Sequence, residues 1–328
     1  MSTETMHAAS KPPLTAGRLV YLGFHRPLET LRRTFADGGP LAQRETARWR
    51  NRMIAAAGSI AISPAPRGET AVDVHFLTGA RFWYQTVFCA ASLARQSGIR
   101  LACHIHDDGT LDDTLAARLC TALGPDTVIH TYAESVARLD VLLPESRFPH
   151  LRERHRNYPN IRKLIDPHLG STGWKCVLDS DMLFFRRPAV LLNWLRSPDR
   201  PLHMVDCETS YGYPLDVLSA LCGTQVGERV NVGICGLDSA SLDWERIEGW
   251  CARLHAAHGT SYFLEQAIVA MLVAGRACEV APETDYICLP ARGEVEAPVA
   301  AMHHYVAGSK RWYFRHGWRN CGVETATP

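Results

Sequence analysis

No apolar run in this chain of 328 residues approaches the roughly 18 needed to cross a membrane. The opening residues, Met1 to Ala16, lack the basic-then-apolar order of a secretory signal. Charge of one sign is missing too: 35 Lys+Arg against 34 Asp+Glu leave a formal net charge of +1. That balance gives no footing for a nucleic-acid partner. Glycine-rich phosphate cradles are absent. After the first strong strand the chain reads Thr78-Gly79-Ala80-Arg81 in place of Gly-x-Gly-x-x-Gly, and no P-loop pattern occurs. The 11 cysteines include no Cys-x-x-Cys pair. Several, such as Cys89, Cys176 and Cys235, sit in apolar stretches where a free thiol behaves as a small hydrophobe. A disulfide framework or zinc knuckle is thereby disfavoured, and a reducing compartment is favoured. The expectation is a soluble, cytoplasmic protein without a transmembrane segment.

What the chain does contain is ordinary globular composition, 46% hydrophobic and 21% charged, with length for a substantial core. Residues 1–16 read as a disordered leader. Residues 17–70 read as a helical extension, with apolar spacing over Pro27–Phe35 and Leu41–Ala57 and a Pro/Gly loop over Ser63–Glu69. The main domain spans 71–328. It opens strand Ala71–Leu77, helix Arg81–Gln96, strand Arg100–His106, helix Leu111–Leu123, strand Asp126–Tyr132. This β-α-β-α-β order predicts parallel strands with crossover helices. After a looser Arg- and His-rich stretch (Pro144–Asn160) come a short helix, Ile161–Leu169, and an apolar strand entering at Trp174. A helix over Pro188–Leu195, strands over Leu202–Val205 and Asn231–Gly236, and helices over Trp244–Ala256 and Ser261–Ala274 follow.

The strand at Trp174 ends in Val177-Leu178-Asp179-Ser180-Asp181 and continues Met182-Leu183-Phe184-Phe185. Carboxylates flanked by this much apolar sequence need a partner. Asp-x-Asp at the C-terminal end of a central strand can hold Mg²⁺ or Mn²⁺ against a diphosphate. The plain structural alternative is a helix cap plus an exposed turn residue. A second segment, His303-His304-Tyr305-Val306-Ala307-Gly308-Ser309-Lys310-Arg311-Trp312, offers an imidazole ligand, a flexible glycine and a lysine. Its plain alternative is an amphipathic tail packing aromatics on the core. For other residues the structural reading wins. His104 and His106 share a strand face, but nothing nearby completes a zinc site. Trp83 and Tyr84 read as core.

In the order and spacing of its motifs the chain resembles nucleotide-sugar glycosyltransferases of the GT-A fold, and is similar in layout to glycosyltransferase family 8. Lys163-Leu164-Ile165-Asp166-Pro167 precedes the Leu178-Asp179-Ser180-Asp181 strand. Asn231-Val232-Gly233 matches an Asn-x-Gly strand, and Glu265-Gln266 an acidic-Gln helix start. His304, Tyr305, Lys310 and Trp312 match parts of a His-aromatic-x-Gly-x-x-Lys-Pro-Trp segment. Ala307 stands at that segment's glycine, with Gly308 one place late, and Arg311 at its proline. The resemblance implies an α/β fold with a mostly parallel central sheet flanked by helices. It implies Asp179, Asp181 and His304 as ligands of Mn²⁺ or Mg²⁺, with Lys310 and the backbone at Gly308 at the diphosphate. The backbone near Thr78 would frame the nucleoside, Asp107 or Asp108 would bind its base or ribose, and Lys163 would reach phosphate or sugar. Asn231, Glu265 and Gln266 would surround the transferred sugar. The donor would be a UDP-sugar, the transfer retaining, and the acceptor a glycan, lipid, protein or small molecule.

Two other readings fit the same residues. A haloacid-dehalogenase-type phosphatase also carries Asp-x-Asp on an apolar strand, but Met182-Leu183 follows here where a small polar pair is usual. A non-catalytic nucleotide-sugar or glycan-binding protein could retain the fold with the altered Ala307 and Arg311 positions.

Overall fold

The computed structural model describes residues 38–62 and 70–325. The expected leader, the helix expected over Pro27–Phe35 and the Ser63–Glu69 loop lie outside them. The chain divides into two compact units, Met1–Arg48 and Trp49–Pro328, and the second holds every candidate site residue. The helix expected from Leu41 is observed as Gly39–Ala57.

The expected α/β architecture is present. Among the described residues, seven strands form one sheet in the order β3-β2-β1-β4-β7-β6-β8. They are β1 (Val72–Thr78), β2 (Leu101–Asp107), β3 (Val128–His130), β4 (Trp174–Leu178), β6 (Leu202–Val205), β7 (Val230–Asp238) and β8 (Glu279–Ala281). β1 pairs in parallel with β2 and β4, as do β2 with β3 and β6 with β8. β7 alone runs against its neighbours β4 and β6. A second sheet of three short strands, β5 (Met182–Phe184), β10 (Met302–His304) and β9 (Tyr286–Cys288), has β10 in the middle. Sequence periodicity does not show it, because three-residue strands are too short to alternate visibly.

Both faces of the large sheet are covered. Val74, Phe76, Cys103, Ile105 and Leu178 pack under the helix Trp83–Ser97. Val230, Val232, Cys235 and Leu237 pack with the helices Arg162–His168, Trp244–His258 and Leu264–Val273. Double coverage explains why β7 reads Val-Asn-Val-Gly-Ile-Cys-Gly-Leu, a nearly continuous buried run without alternation. Two helices occupy ground where the sequence shows no strong apolar period. Tyr132–Leu142 is nucleated by a reciprocal capping box of Thr131 and Glu134. Pro149–Asn157 starts with proline, which suits a first helical turn, and carries three basic residues in its last turn.

Because β7 is reversed, its beginning lies at the same sheet edge as the ends of β1, β2, β4 and β6. The β6–β7 register jumps from His203↔Cys235 to Met204↔Asn231, leaving 232–234 without partners on β6. Such irregularities re-aim side chains next to functional sites. At this edge Asp107, Asp179 and Asp206 each follow or end a strand.

On the face opposite Val74 and Phe76, β1 to β3 carry four imidazoles. His75 Nδ1 lies 3.1 Å from His106 Nε2, and His104 Nδ1 lies 3.0 Å from His130 Nε2. The rings stack, with centroids 4.6 Å apart for His75–His104 and for His106–His130. Burial drives the pKa of His75 and His106 well below the ordinary value, helped by the neighbouring imidazoles. His168 beneath them is lowered by burial to about 3. His75, His106 and His168 are neutral in the fold. Above pH 6.5 folded and unfolded chains carry the same charge on them; below it only the unfolded chain takes up the protons. Each such histidine therefore removes about 1 kcal/mol of stability between pH 7 and 5.5. His303, lowered to about 4, adds to this loss, while His304 and Glu265, whose pKa values move upward, offset part of it. Urea unfolding at the two pH values should show a net loss of roughly 2–3 kcal/mol. An unfolding free energy unchanged over that interval would contradict neutral His75, His106 and His168.

Candidate active site

Asp179 and Asp181 stand at the turn between β4 and β5, and strands remote in sequence fix their backbone. Asp179 N donates to the Gly233 carbonyl of β7 at 2.8 Å, and Tyr305 N, just beyond β10, donates to the Asp181 carbonyl at 2.9 Å. The side chains are then sorted by charge. Lys163 Nζ approaches Asp179 Oδ1 at 2.8 Å, and Lys310 Nζ approaches Asp181 Oδ2 at 3.0 Å. The other two oxygens turn inward to one imidazole. His304 Nε2 lies 3.5 Å from Asp179 Oδ2 and 3.3 Å from Asp181 Oδ1.

These three donors lie within 4.8 Å of one another. Two carboxylate oxygens and an imidazole nitrogen converging on one point suit Mn²⁺ or Mg²⁺ in chemistry and spacing. The lysines outside the pair leave its inner oxygens facing the cation position. Burial opposes ionisation of Asp179, but Lys163 and then His304 hold its pKa below the usual carboxylate value. Asp181 is held down against burial by His304 and Lys310. Burial would lower the His304 pKa, yet hydrogen bonding to both aspartates raises it well above normal.

Glycine at 233 is a steric requirement. A Cβ there would stand 2.6 Å from the His304 ring, so any side chain on β7 at this point pushes the imidazole off the aspartates. The Asn231 side chain supports the same turn, its Oδ1 accepting from Gly233 N at 2.9 Å.

The cluster opens into a cavity of about 520 Å³. Lys163 also approaches Glu265 Oε2 at 3.3 Å, on the opening turn of the helix Leu264–Val273. Burial pushes the Glu265 pKa up to about 7, with Lys163 opposing and Asp179 reinforcing the rise. Glu265 can therefore exchange a proton near neutrality. Gln266 Nε2 donates to Asp206 Oδ2 at 2.8 Å. Phe82, Gln85, Asp108, Tyr158, Asn231 and Ala307 complete much of the lining.

Among the residues singled out from sequence, Asp179, Asp181, His304, Lys163, Lys310, Asn231, Glu265, Gln266 and Asp108 all line this cavity. Three others stand elsewhere. Asp107 caps the turn after β2: its Oδ1 accepts from the N–H groups of Gly109, Thr110 and Leu111 at 2.8–3.0 Å. Thr78 turns inward, its hydroxyl accepting from Thr86 at 2.9 Å, and its neighbour Leu77 lines the cavity in its place. Gly308 is exposed and has no left-handed φ; the residue that has one is Ala307, at φ 43°. Among the described residues the non-glycine positions with positive φ are Ala307 and Leu289 (φ 58°), and both line the cavity. Strain of this kind concentrates at functional sites.

Asp206 was not foreseen from sequence. Its signal is the one Asp179 gives, an acidic residue closing an apolar strand, here Leu202–Val205.

No family model and no curated protein matches the sequence. Among solved structures the chain is similar to mouse xyloside xylosyltransferase 1 at 12% identity, covering 71% of this chain and 97% of that one with a TM-score of 0.48. It is similar to the galactosyltransferase LgtC in complex with donor and acceptor sugar analogs at 15% identity, covering 78% and 97%, TM-score 0.49. For the bifunctional glycosyltransferase WbbM the values are 13%, 74%, 47% and 0.43. All three scores lie below 0.5, and the functional reading stands on the geometry of the site.

Two substitutions test that geometry. Gly233→Ala should weaken Mn²⁺ binding at least about tenfold, read by calorimetry or by loss of the free-ion paramagnetic signal. Unaltered affinity in a folded variant would mean that His304 is not a ligand. Ala307→Gly removes a left-handed Cβ contact worth about 1–2 kcal/mol, partly offset by the unfolded-chain entropy of glycine. Thermal unfolding should therefore move upward by about one degree; a lower midpoint would show that the Ala307 backbone is unstrained.

Proposed function

We propose that the chain is a metal-dependent glycosyltransferase of GT-A type. It moves a sugar from a nucleotide-diphosphate donor, a UDP-sugar, to an acceptor hydroxyl with retention of configuration. The observation that carries this reading is the inward convergence of Asp179, Asp181 and His304 beside Lys310, on a cavity whose far wall is polar. The resemblance in motif order supports the donor class and the stereochemistry.

Breaking a sugar–phosphate bond builds positive charge on the sugar and negative charge on the departing nucleotide. Mn²⁺ or Mg²⁺ held by Asp179, Asp181 and His304 would supply Lewis-acid neutralisation of the diphosphate. Lys310 sits on the outer side of Asp181 and adds a second positive charge at the same place. Lys163 fixes the rotamer of Asp179 and ties it to Glu265. On the sugar side, Gln266 lines the cavity with its amide nitrogen held by Asp206 Oδ2, which leaves its amide oxygen to accept from a hydroxyl. Asn231 borders the same space. Glu265 holds or releases a proton at neutral pH. Asp108 stands on the nucleoside side, at the end of β2.

Thermal-shift and calorimetric titration with UDP and UDP-sugars, with and without Mn²⁺, tests binding; sugar transfer or donor hydrolysis tests catalysis. Asp181→Asn should lower kcat by about 10²-fold or more, on the order of 3 kcal/mol of barrier. Metal-dependent nucleotide binding without turnover on any acceptor favours a non-catalytic binding protein. Inorganic phosphate released from small phosphoesters favours a phosphatase. Absence of any metal-dependent nucleotide binding sinks the reading.

A further inference from the structure

Asp206 and Cys207 line the cavity, and with Cys288 beside them they form a second group of convergent donors with different chemistry. Asp206 and Cys207 follow β6, and Cys288 ends β9; one ligand atom from each lies within 4.8 Å of the others. Cys207 Sγ and Cys288 Sγ both stand 3.5 Å from one oxygen, Asp206 Oδ1. The opposite oxygen, Oδ2, is taken by Gln266 Nε2. The carboxylate is therefore fixed with a single oxygen facing two sulfurs. Asn231 Nδ2, 3.7 Å from Cys288 Sγ, steadies that thiol. All three donors sit at strand ends, and Asp206 is 5% exposed.

We propose that Asp206, Cys207 and Cys288 form a second cation site, selective for a thiophilic divalent ion such as Zn²⁺. Around a tetrahedral zinc with Zn–S of about 2.3 Å and Zn–O of about 2.0 Å, sulfur and oxygen stand roughly 3.5 Å apart. Both sulfur–oxygen separations already have that value. One S–H···O hydrogen bond has the same length, but convergence of two thiols on one oxygen also leaves a common point for an ion. The exposed Cys207 gives a path from solvent, and three protein ligands leave a fourth position open. The ion displaces the two thiol protons: M²⁺ with two R–SH and one carboxylate gives a bis-thiolate, carboxylate complex and two H⁺. Its sulfur-rich donor set separates it from the oxygen and nitrogen set of Asp179, Asp181 and His304. The inference does not rest on the transferase reading, because ligation is observable without turnover.

The test uses full-length protein, reduced, stripped of metal and titrated with Co²⁺ without oxygen. A sulfur-to-cobalt charge-transfer band in the near ultraviolet should grow, saturate at one ion per chain and disappear on addition of Zn²⁺. Asp181→Asn should keep the band, which separates this site from the first one. Cys207→Ser, at an exposed position, should weaken Co²⁺ binding about tenfold or more. The double variant with Cys288→Ser should lose the band while circular dichroism shows an intact fold. No band in the native sequence, or the same band in the double variant, overturns the proposal.

Discussion

Two carboxylates one residue apart, at the end of a strand covered on both faces, must be neutralised from several directions at once. Asp179 and Asp181 receive Lys163 from one helix, Lys310 from the C-terminal segment and His304 from β10. Each contributor comes from a different part of the chain, so the site forms only when those parts have docked. Breaking such a set by removing one partner is costlier than any single contact suggests, since the charge left behind is desolvated. The same demand explains the neighbours. Gly233 is without a side chain because His304 lies where its Cβ would be. Glu265 shares Lys163 with Asp179, and burial leaves it close to its protonation midpoint at neutral pH.

Topology makes the convergence possible. In an all-parallel sheet Asn231 and Gly233, near the start of their strand, would lie at the edge remote from Asp179. The reversal of β7 brings them to it, and the register jump against β6 frees 232–234 to follow the site. The small sheet does the same for the C-terminal residues. His304 pairs across with Met182 on one side and with Cys288 on the other. Two elements that periodicity cannot resolve thus carry one proposed metal ligand and one thiol.

Much of the site was legible because its residues interrupt patterns. Acidic residues ending an apolar strand, an imidazole and lysine in an aromatic segment, and Glu265-Gln266 opening an apolar helix all stand out against their surroundings. Residues that stand away from the cavity do so for equally physical reasons. Asp107 looks like Asp108 in sequence, but the tight turn after β2 takes three N–H groups to its Oδ1. Gly308, expected to bring backbone to a phosphate, is exposed, and the left-handed residue of this segment is its neighbour Ala307. Helix Pro149–Asn157 is strongly polar, and its sequence suggests a loop. It is held by buried Leu151, Arg154 and His155 rather than by an apolar stripe. The β-α-β-α-β opening was legible because β1 and β2 are seven residues each and each is followed by a clear helix; the short β8, β9 and β10 had no such length.

Asp206 shows why the cavity cannot be divided into independent parts. Its Oδ2 takes the amide of Gln266, and its Oδ1 takes Cys207 N at 2.8 Å together with both thiols. Anything bound at Oδ1 withdraws electron density from the carboxylate that Gln266 steadies, and a ligand at Gln266 acts on the thiols in return. Such coupling is reciprocal in free energy. Between the two donor sets the ordering of ions also differs. Oxygen and nitrogen ligands follow the usual rise in affinity from Mn²⁺ toward Zn²⁺, so the aspartate–histidine set cannot by affinity alone reject zinc. The proposed thiol pair, with Cys207 on the cavity wall, would offer zinc a better partner than either aspartate. In the proposed arrangement, discrimination between the hard and the soft ion would arise from two adjacent sites rather than from the shape of one.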